Sequence, residues 1–317
     1  MANSPCETFG SPRWLHNWAV FTVCATFGLL ALGAVVTTFQ VGMADPIWPT
    51  YPWHLLLISW EEPKPGFIIE HAHRLAGYLV GGCVIVLAVG LWMTEKRQWL
   101  RWLGVAALLG VILQGLLGGF RVKLNELLGP KLALVHGSFA AVIFTLIVCL
   151  ALYTSRGWNA DTRATLSIPP PRNLRRISKA LPLFVFVQIF FGGLLRHTYF
   201  TLGQRGHLLL AFAVTGGVIW LLKEVVDQPI RERRLFFPAV LLAILVTGQI
   251  FLGVEAWMFK YFTPSALATQ ALIRTGHVLF GSLILATSVV VTSQIHRASS
   301  ASARFIGGPF QHLEGAA

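Results

Sequence analysis

The chain has 317 residues, 55% of them hydrophobic and 12% charged, with a formal net charge of +12 and a mean hydropathy of +0.66. These values exclude a soluble globule: runs of roughly 20 apolar residues, each able to cross a hydrocarbon core of about 30 Å, recur throughout. The runs do not alternate, which excludes a β-barrel, and the positive charge sits between them, where topology and lipid headgroups explain it better than nucleic acid.

The expected fold class is therefore an all-α polytopic membrane protein. Residues 1–16 are polar, and the run after them is long enough to stay as a span, so no cleavable signal is expected. Eight spans are read at about 18–39, 68–92, 101–120, 131–153, 180–200, 206–226, 236–256 and 270–293. With the N-terminus in the cytoplasm, the inner segments hold most of the 25 Lys and Arg, among them Lys96, Arg97, Arg101, Arg172, Arg175, Arg176 and Lys179. That bias gives both termini inside.

The first outer loop, about 40–67, is dense in proline and tryptophan (Pro46, Trp48, Pro49, Trp53, Trp60) and reads as an ordered interfacial cap. The long inner loop carries Pro169-Pro170-Pro171 and a basic cluster and reads as a linker. Three parts are expected: an N-terminal four-helix bundle over 1–155, a cytoplasmic linker over 156–179, and a C-terminal four-helix bundle over 180–317. Cys24, Cys83 and Cys149 lie in apolar runs and Cys6 in the tail, so no disulfide is expected.

Glu70-His71-Ala72-His73-Arg74 opens the second span, with Glu70 and His73 three residues apart on one helix face. Ionisable groups at a membrane boundary mark an anchor or a site. Further along, Gln114-Gly115-Leu116-Leu117-Gly118, Gln188-Ile189-Phe190-Phe191-Gly192 and Gln249-Ile250-Phe251-Leu252-Gly253 repeat a glutamine one turn before a glycine. The first span has Gly28 and Gly33 but no glutamine.

Four of the ten histidines share a pattern. His73, His136, His207 and His277 open spans two, four, six and eight, each followed one turn later by a small residue: Gly77, Ala140, Ala211 and Gly281. An imidazole above a hollow suits a planar macrocycle whose iron is held by a ring nitrogen, and four such positions allow two haem sites. Zinc would want clustered ligands instead. Arg74, Lys131, Arg205 and Arg274 each lie within five residues of one of these histidines, on the side where positive charge is disfavoured. They are candidate contacts for haem propionates, with lipid phosphate as the other reading. Glu70 has no acidic counterpart, since Ala133, Gln204 and Arg274 occupy the matching positions, so the first bundle is the candidate for chemistry. His71 points away from His73 and reads as an orienting or interfacial group rather than a ligand. His197, at the end of span five, reads as a supporting group beside the ligands.

Glu70–Arg74, the segment Gly42-Met43-Ala44-Asp45-Pro46-Ile47-Trp48-Pro49-Thr50 and the stretch from Gln114 to Val122 resemble haem A synthases, as do the eight-span layout and the paired histidines. The resemblance implies a membrane oxidoreductase that converts the C8 methyl of haem O to a formyl group, making haem A for cytochrome oxidase. It implies substrate haem between His73 and His136, a catalytic Glu70, and haem b, with its iron, between His207 and His277. Its implied setting is the bacterial plasma membrane. Its implied partners are haem O, lipid, a haem O synthase, an electron acceptor and further copies of the chain. Some members carry a cysteine pair in the first outer loop, which this chain lacks. The alternatives are a dihaem cytochrome that relays electrons, which needs no Glu70, and a transporter or chaperone, whose site belongs near the midplane on broken helices.

Overall fold

The computed structural model describes residues 11–45, 65–159, 169–198, 201–228, 233–263 and 265–306. These form nine helices: α1 (Arg13–Thr38), α2 (Pro65–Thr94), α3 (Gln98–Lys123), α4 (Asn125–Thr154), α5 (Arg156–Asn159), α6 (Arg172–His197), α7 (Thr201–Val226), α8 (Arg233–Tyr261) and α9 (Leu267–Ile306). All but α5 are long and apolar enough to span a membrane, and no strand occurs among the described residues. The all-α polytopic expectation holds. In hydrocarbon a helix satisfies its own backbone polar groups, and here the hydroxyls of Thr22, Thr26, Thr38 and Thr145 also turn back onto the carbonyl four residues earlier.

Several ends differ from the sequence reading. Helix α6 starts at Arg172 with Pro171 as its N-cap, ahead of the expected start of the fifth span, so Arg172, Arg175, Arg176 and Lys179 occupy its first turns. Proline is pre-organised for a helix start, and long cations at a helix end reach headgroup depth. Only Leu124 separates α3 from α4, where a longer loop was expected. Of the expected interfacial cap, residues 46–64 lie outside the described residues. Residues 39–45 leave α1 through Gln40, which has φ 57°, and return to the start of α2, where a Cβ on Gly66 would fall 2.8 Å from Val41 Cγ1.

The eight long helices pack as two closed rings. Within the first, α1 contacts α2, α2 contacts α3, α3 contacts α4 and α4 returns to α1; helices α6 to α9 repeat the circuit. The rings meet chiefly through α4 and α9, with α1 against α9 and α4 against α6. Helices α2 and α4 therefore stand on one diagonal, and α7 and α9 on the other.

Close packing is concentrated at the end that carries the chain termini. Leu15, Leu87, Leu91, Leu100, Ile147 and Leu150 are fully buried in the first ring, and Leu174, Leu181, Leu221, Leu242 and Ile295 in the second. A polar clamp closes the same end of the first ring. Arg97 holds both carboxylate oxygens of Glu95, Nε to Oε1 at 2.9 Å and Nη2 to Oε2 at 2.8 Å, and reaches Asn159 Oδ1 at 2.8 Å. Ser11 donates to Glu95 Oε2 at 2.5 Å. Burial opposes the Glu95 charge, but the hydrogen bonds from Arg97 and Ser11 outweigh it and hold the carboxyl at a pKa of about 2. With packing anchored there, the opposite ends of the rings are left to the histidines.

Candidate functional site

His73 (α2) and His136 (α4) come from one diagonal, His207 (α7) and His277 (α9) from the other, so each ring places one imidazole pair across its axis. This is how helix bundles build cofactor sites. Each imidazole lies against a glycine of the preceding long helix. A Cβ added to Gly33, Gly118, Gly192 or Gly253 would fall 3.0, 3.3, 2.9 or 3.1 Å from Cε1 of His73, His136, His207 or His277. The glycines are thus the floor on which the rings lie.

In one of the four sites the residue one turn before the glycine bonds the ring's Nδ1 through its carbonyl. His207 Nδ1 bonds the Gln188 carbonyl at 3.1 Å, which leaves Nε2 as the nitrogen available to a metal. The other three Nδ1 atoms face the carbonyls of Leu29, Gln114 and Gln249, in poorer geometry that completes no hydrogen bond. The first span therefore holds the fourth copy of the motif, with Leu29 where the others have glutamine. Two of the glutamine side chains do separate work: Gln114 Nε2 donates to the His136 carbonyl at 2.9 Å, and Gln249 Nε2 lies 3.2 Å from His277 Nε2.

The ring centres of His207 and His277 are 6.1 Å apart. Two imidazoles on opposite sides of one metal, with bonds of about 2.0 Å and ring centres about 1.1 Å further out, would stand about 6.2 Å apart. The pair therefore fits a single iron. Among the described residues no three His, Cys, Asp or Glu side chains gather as a zinc site would need. His73 and His136 are near enough for a charge on one to be felt by the other.

Glu70 is buried beside the first pair, and both its oxygens are engaged. Oε2 accepts the Asp45 backbone N–H at 2.8 Å and Oε1 accepts Arg74 Nη2 at 2.8 Å. Arg74 also reaches Asp45, through Nη1 to Oδ2 at 3.1 Å and through Nη2 to the carbonyl. His71 is fully buried, stacks on Phe67 at 5.3 Å and sets Nδ1 3.5 Å from Asp45 Oδ2. Asp45, 25 residues before Glu70, is what the sequence reading missed: it joins Glu70, His71 and Arg74 into one cluster.

The candidate cations divide. Arg74 belongs to the Glu70–Asp45 cluster, Lys131 and Arg205 are exposed, and Arg274 is half-buried within electrostatic reach of Arg196. Two arginines not singled out from the sequence are more central. Arg196, at the end of α6, crosses to the other ring and donates to the Ala34 carbonyl at 3.0 Å and Thr38 Oγ1 at 2.8 Å. Arg121 stands within electrostatic reach of His73, His136 and His197. The available signal was spacing, because Gln114, Gly118 and Arg121 share one face of α3.

Fold and site together define a polytopic membrane protein with two facing histidine pairs, one of them joined by a buried carboxylate cluster. Comparison with known proteins agrees. Residues 16–205 match the profile of a family described as cytochrome oxidase assembly protein. A protein of Shouchella clausii named "Heme A synthase" is 25% identical over 288 residues, covering 88% of each chain. One of the same name from Alkalihalophilus pseudofirmus is 25% identical over 308 residues, covering 87% of this chain and 97% of the relative. A third, from Methylorubrum populi, is 31% identical over 137 residues, 39% of this chain and 32% of its own. The chain belongs to the cytochrome oxidase assembly protein family.

Proposed function

We propose that this chain is a haem A synthase, an integral membrane oxidoreductase that oxidises the C8 methyl of haem O to a formyl group and so supplies haem A for cytochrome oxidase. The relatives named for that activity align over most of the chain. The observation that carries the reading is the asymmetry of the two sites. Both rings present facing histidines on glycine floors, but among the described residues only the first adds a fixed carboxylate, Glu70, one turn from a histidine. An electron relay has no use for that asymmetry, whereas a site that oxidises one substituent does.

In this reading the N-terminal bundle, 1–155, takes haem O as substrate between His73 and His136. The linker, 156–179, joins it to the C-terminal bundle, 180–317, which keeps haem b between His207 and His277. Haem b supplies a one-electron redox centre, chemistry that no side chain of the bundle offers. The protein's part is placement. Gly33 and Gly118 let the rings lie flat, His73 and His136 fix the macrocycle, and Glu70, held by Asp45 and Arg74, sets a carboxylate at its edge. There it can take up a proton or stabilise positive charge developing at the methyl carbon. The setting is the bacterial plasma membrane with both termini in the cytoplasm, supported by the cations at the terminal end of the rings. A haem O synthase supplies the substrate and a separate acceptor removes the electrons. The test is pigment extraction from cells that make haem O, with and without this chain. Haem A appearing only with the chain supports the proposal, and haem O alone with haem b bound would favour the relay.

A further inference from the structure

Six arginines or lysines stand at the histidine ends of the two rings or at the border between them, and burial and partners distinguish them. Arg74 is taken up by Glu70 and Asp45, Arg196 by Ala34 and Thr38, and Lys131 and Arg205 stand exposed. Arg274, on α9 of the second ring, and Arg121, on α3 of the first, are both half-buried and make no hydrogen bond or ion pair among the described residues; of the two, Arg121 stands in the ring that holds His73 and His136. Its guanidinium lies against Gly42, where a Cβ would fall 2.5 Å from Nη2 and 2.9 Å from Cζ. His73 and His136 lie within electrostatic reach of it, and so does His197, on α6 of the other ring. Glu70 is its acidic neighbour, close enough to act through space but bonded elsewhere.

A guanidinium carries five N–H donors, and a half-buried one in a membrane protein gains by finding an acceptor for them. Charge at range from Glu70 does not satisfy donors. What does is a planar anion that accepts two parallel hydrogen bonds, which is the geometry of a carboxylate. We propose that Arg121 is the carboxylate-binding residue of the N-terminal site and holds a propionate of the substrate macrocycle. The inference rests on the reading of His73 and His136 as the haem O site. A propionate anchored there fixes the rotation of the macrocycle about the His73–His136 axis. Arg121 thereby decides which edge of the ring meets Glu70: a positioning residue, not a catalytic one.

The probes are haem O and its propionate dimethyl ester, titrated into full-length protein carrying haem in its second site and followed by difference absorbance in the Soret region. The native protein should prefer the free acid by about tenfold or more. Arg121→Gln should lose that preference by weakening the acid and not the ester, and Arg121→Lys should keep part of it. Arg121→Met keeps the length of the stem and removes every donor, so it should behave as Arg121→Gln does, and it serves if Arg121→Gln does not fold. An undiminished preference in Arg121→Gln or Arg121→Met overturns the inference while the haem O site stands. Titrations unaltered by His73→Ala would overturn both.

Discussion

His207 and His277 lie across the axis of the second ring with their centres 6.1 Å apart, on helices whose backbones do not approach each other. That separation is what two axial imidazoles need around one iron. We predict that the purified chain carries a low-spin, two-histidine haem b spectrum. His207→Ala or His277→Ala should remove most of that haem while helix content by circular dichroism stays unchanged. A colourless native preparation from haem-replete cells would contradict this.

The glycine floor makes a graded prediction. A Cβ at Gly192 meets His207 at 2.9 Å, closer than ordinary contacts allow, whereas one at Gly118 meets His136 at 3.3 Å and one at Gly216 has nothing within 4 Å. Gly192→Ala should therefore cost more haem in its own site than Gly118→Ala does in its site, and Gly216→Ala should cost none. Haem-to-protein ratios of the three variants, resolved by site, check the order. Equal loss across all three would remove the floor from the account.

Glu95 predicts a pH dependence. Its carboxyl is held at about 2 in the folded protein against an ordinary value near 4.5, so the clamp stabilises the fold fully above about 4.5 and is lost as pH falls through about 2. Arg97 is a quarter exposed, so screening limits the effect to roughly 1–2 kcal/mol. Glu95→Gln should lower the unfolding temperature at pH 7 in detergent, and the gap to the native protein should close toward pH 2. A gap that does not change with pH would contradict the assignment.

What the sequence made legible follows from period and length. Apolar runs of membrane-spanning length give the eight spans, and four histidines at matched positions give the two sites, because both signals repeat along the chain. The floor was half legible. The glutamines marked three copies, but the working groups are a backbone carbonyl and an absent side chain, so Leu29 and Gly33 do the same job unseen. The Glu70 cluster was legible in part: Glu70, His71 and Arg74 are neighbours in one segment, but Asp45 reaches them from 25 residues away through a backbone N–H. Arg196 likewise binds α1, more than 150 residues earlier, across the border between the rings.

The most direct measurement is the pigment profile of cells that make haem O together with Glu70→Gln. The amide keeps the side chain's size and one oxygen acceptor for Asp45 or Arg74, so the fold, haem b and substrate haem should be retained. Lost are the carboxylate charge and its proton-accepting oxygen. Chromatography of the extracted haems should show haem O, with or without a partly oxidised alcohol, and little or no haem A, beside normal haem A from the native chain. Native haem A yield from Glu70→Gln would contradict a mechanism built on the asymmetry between the two rings.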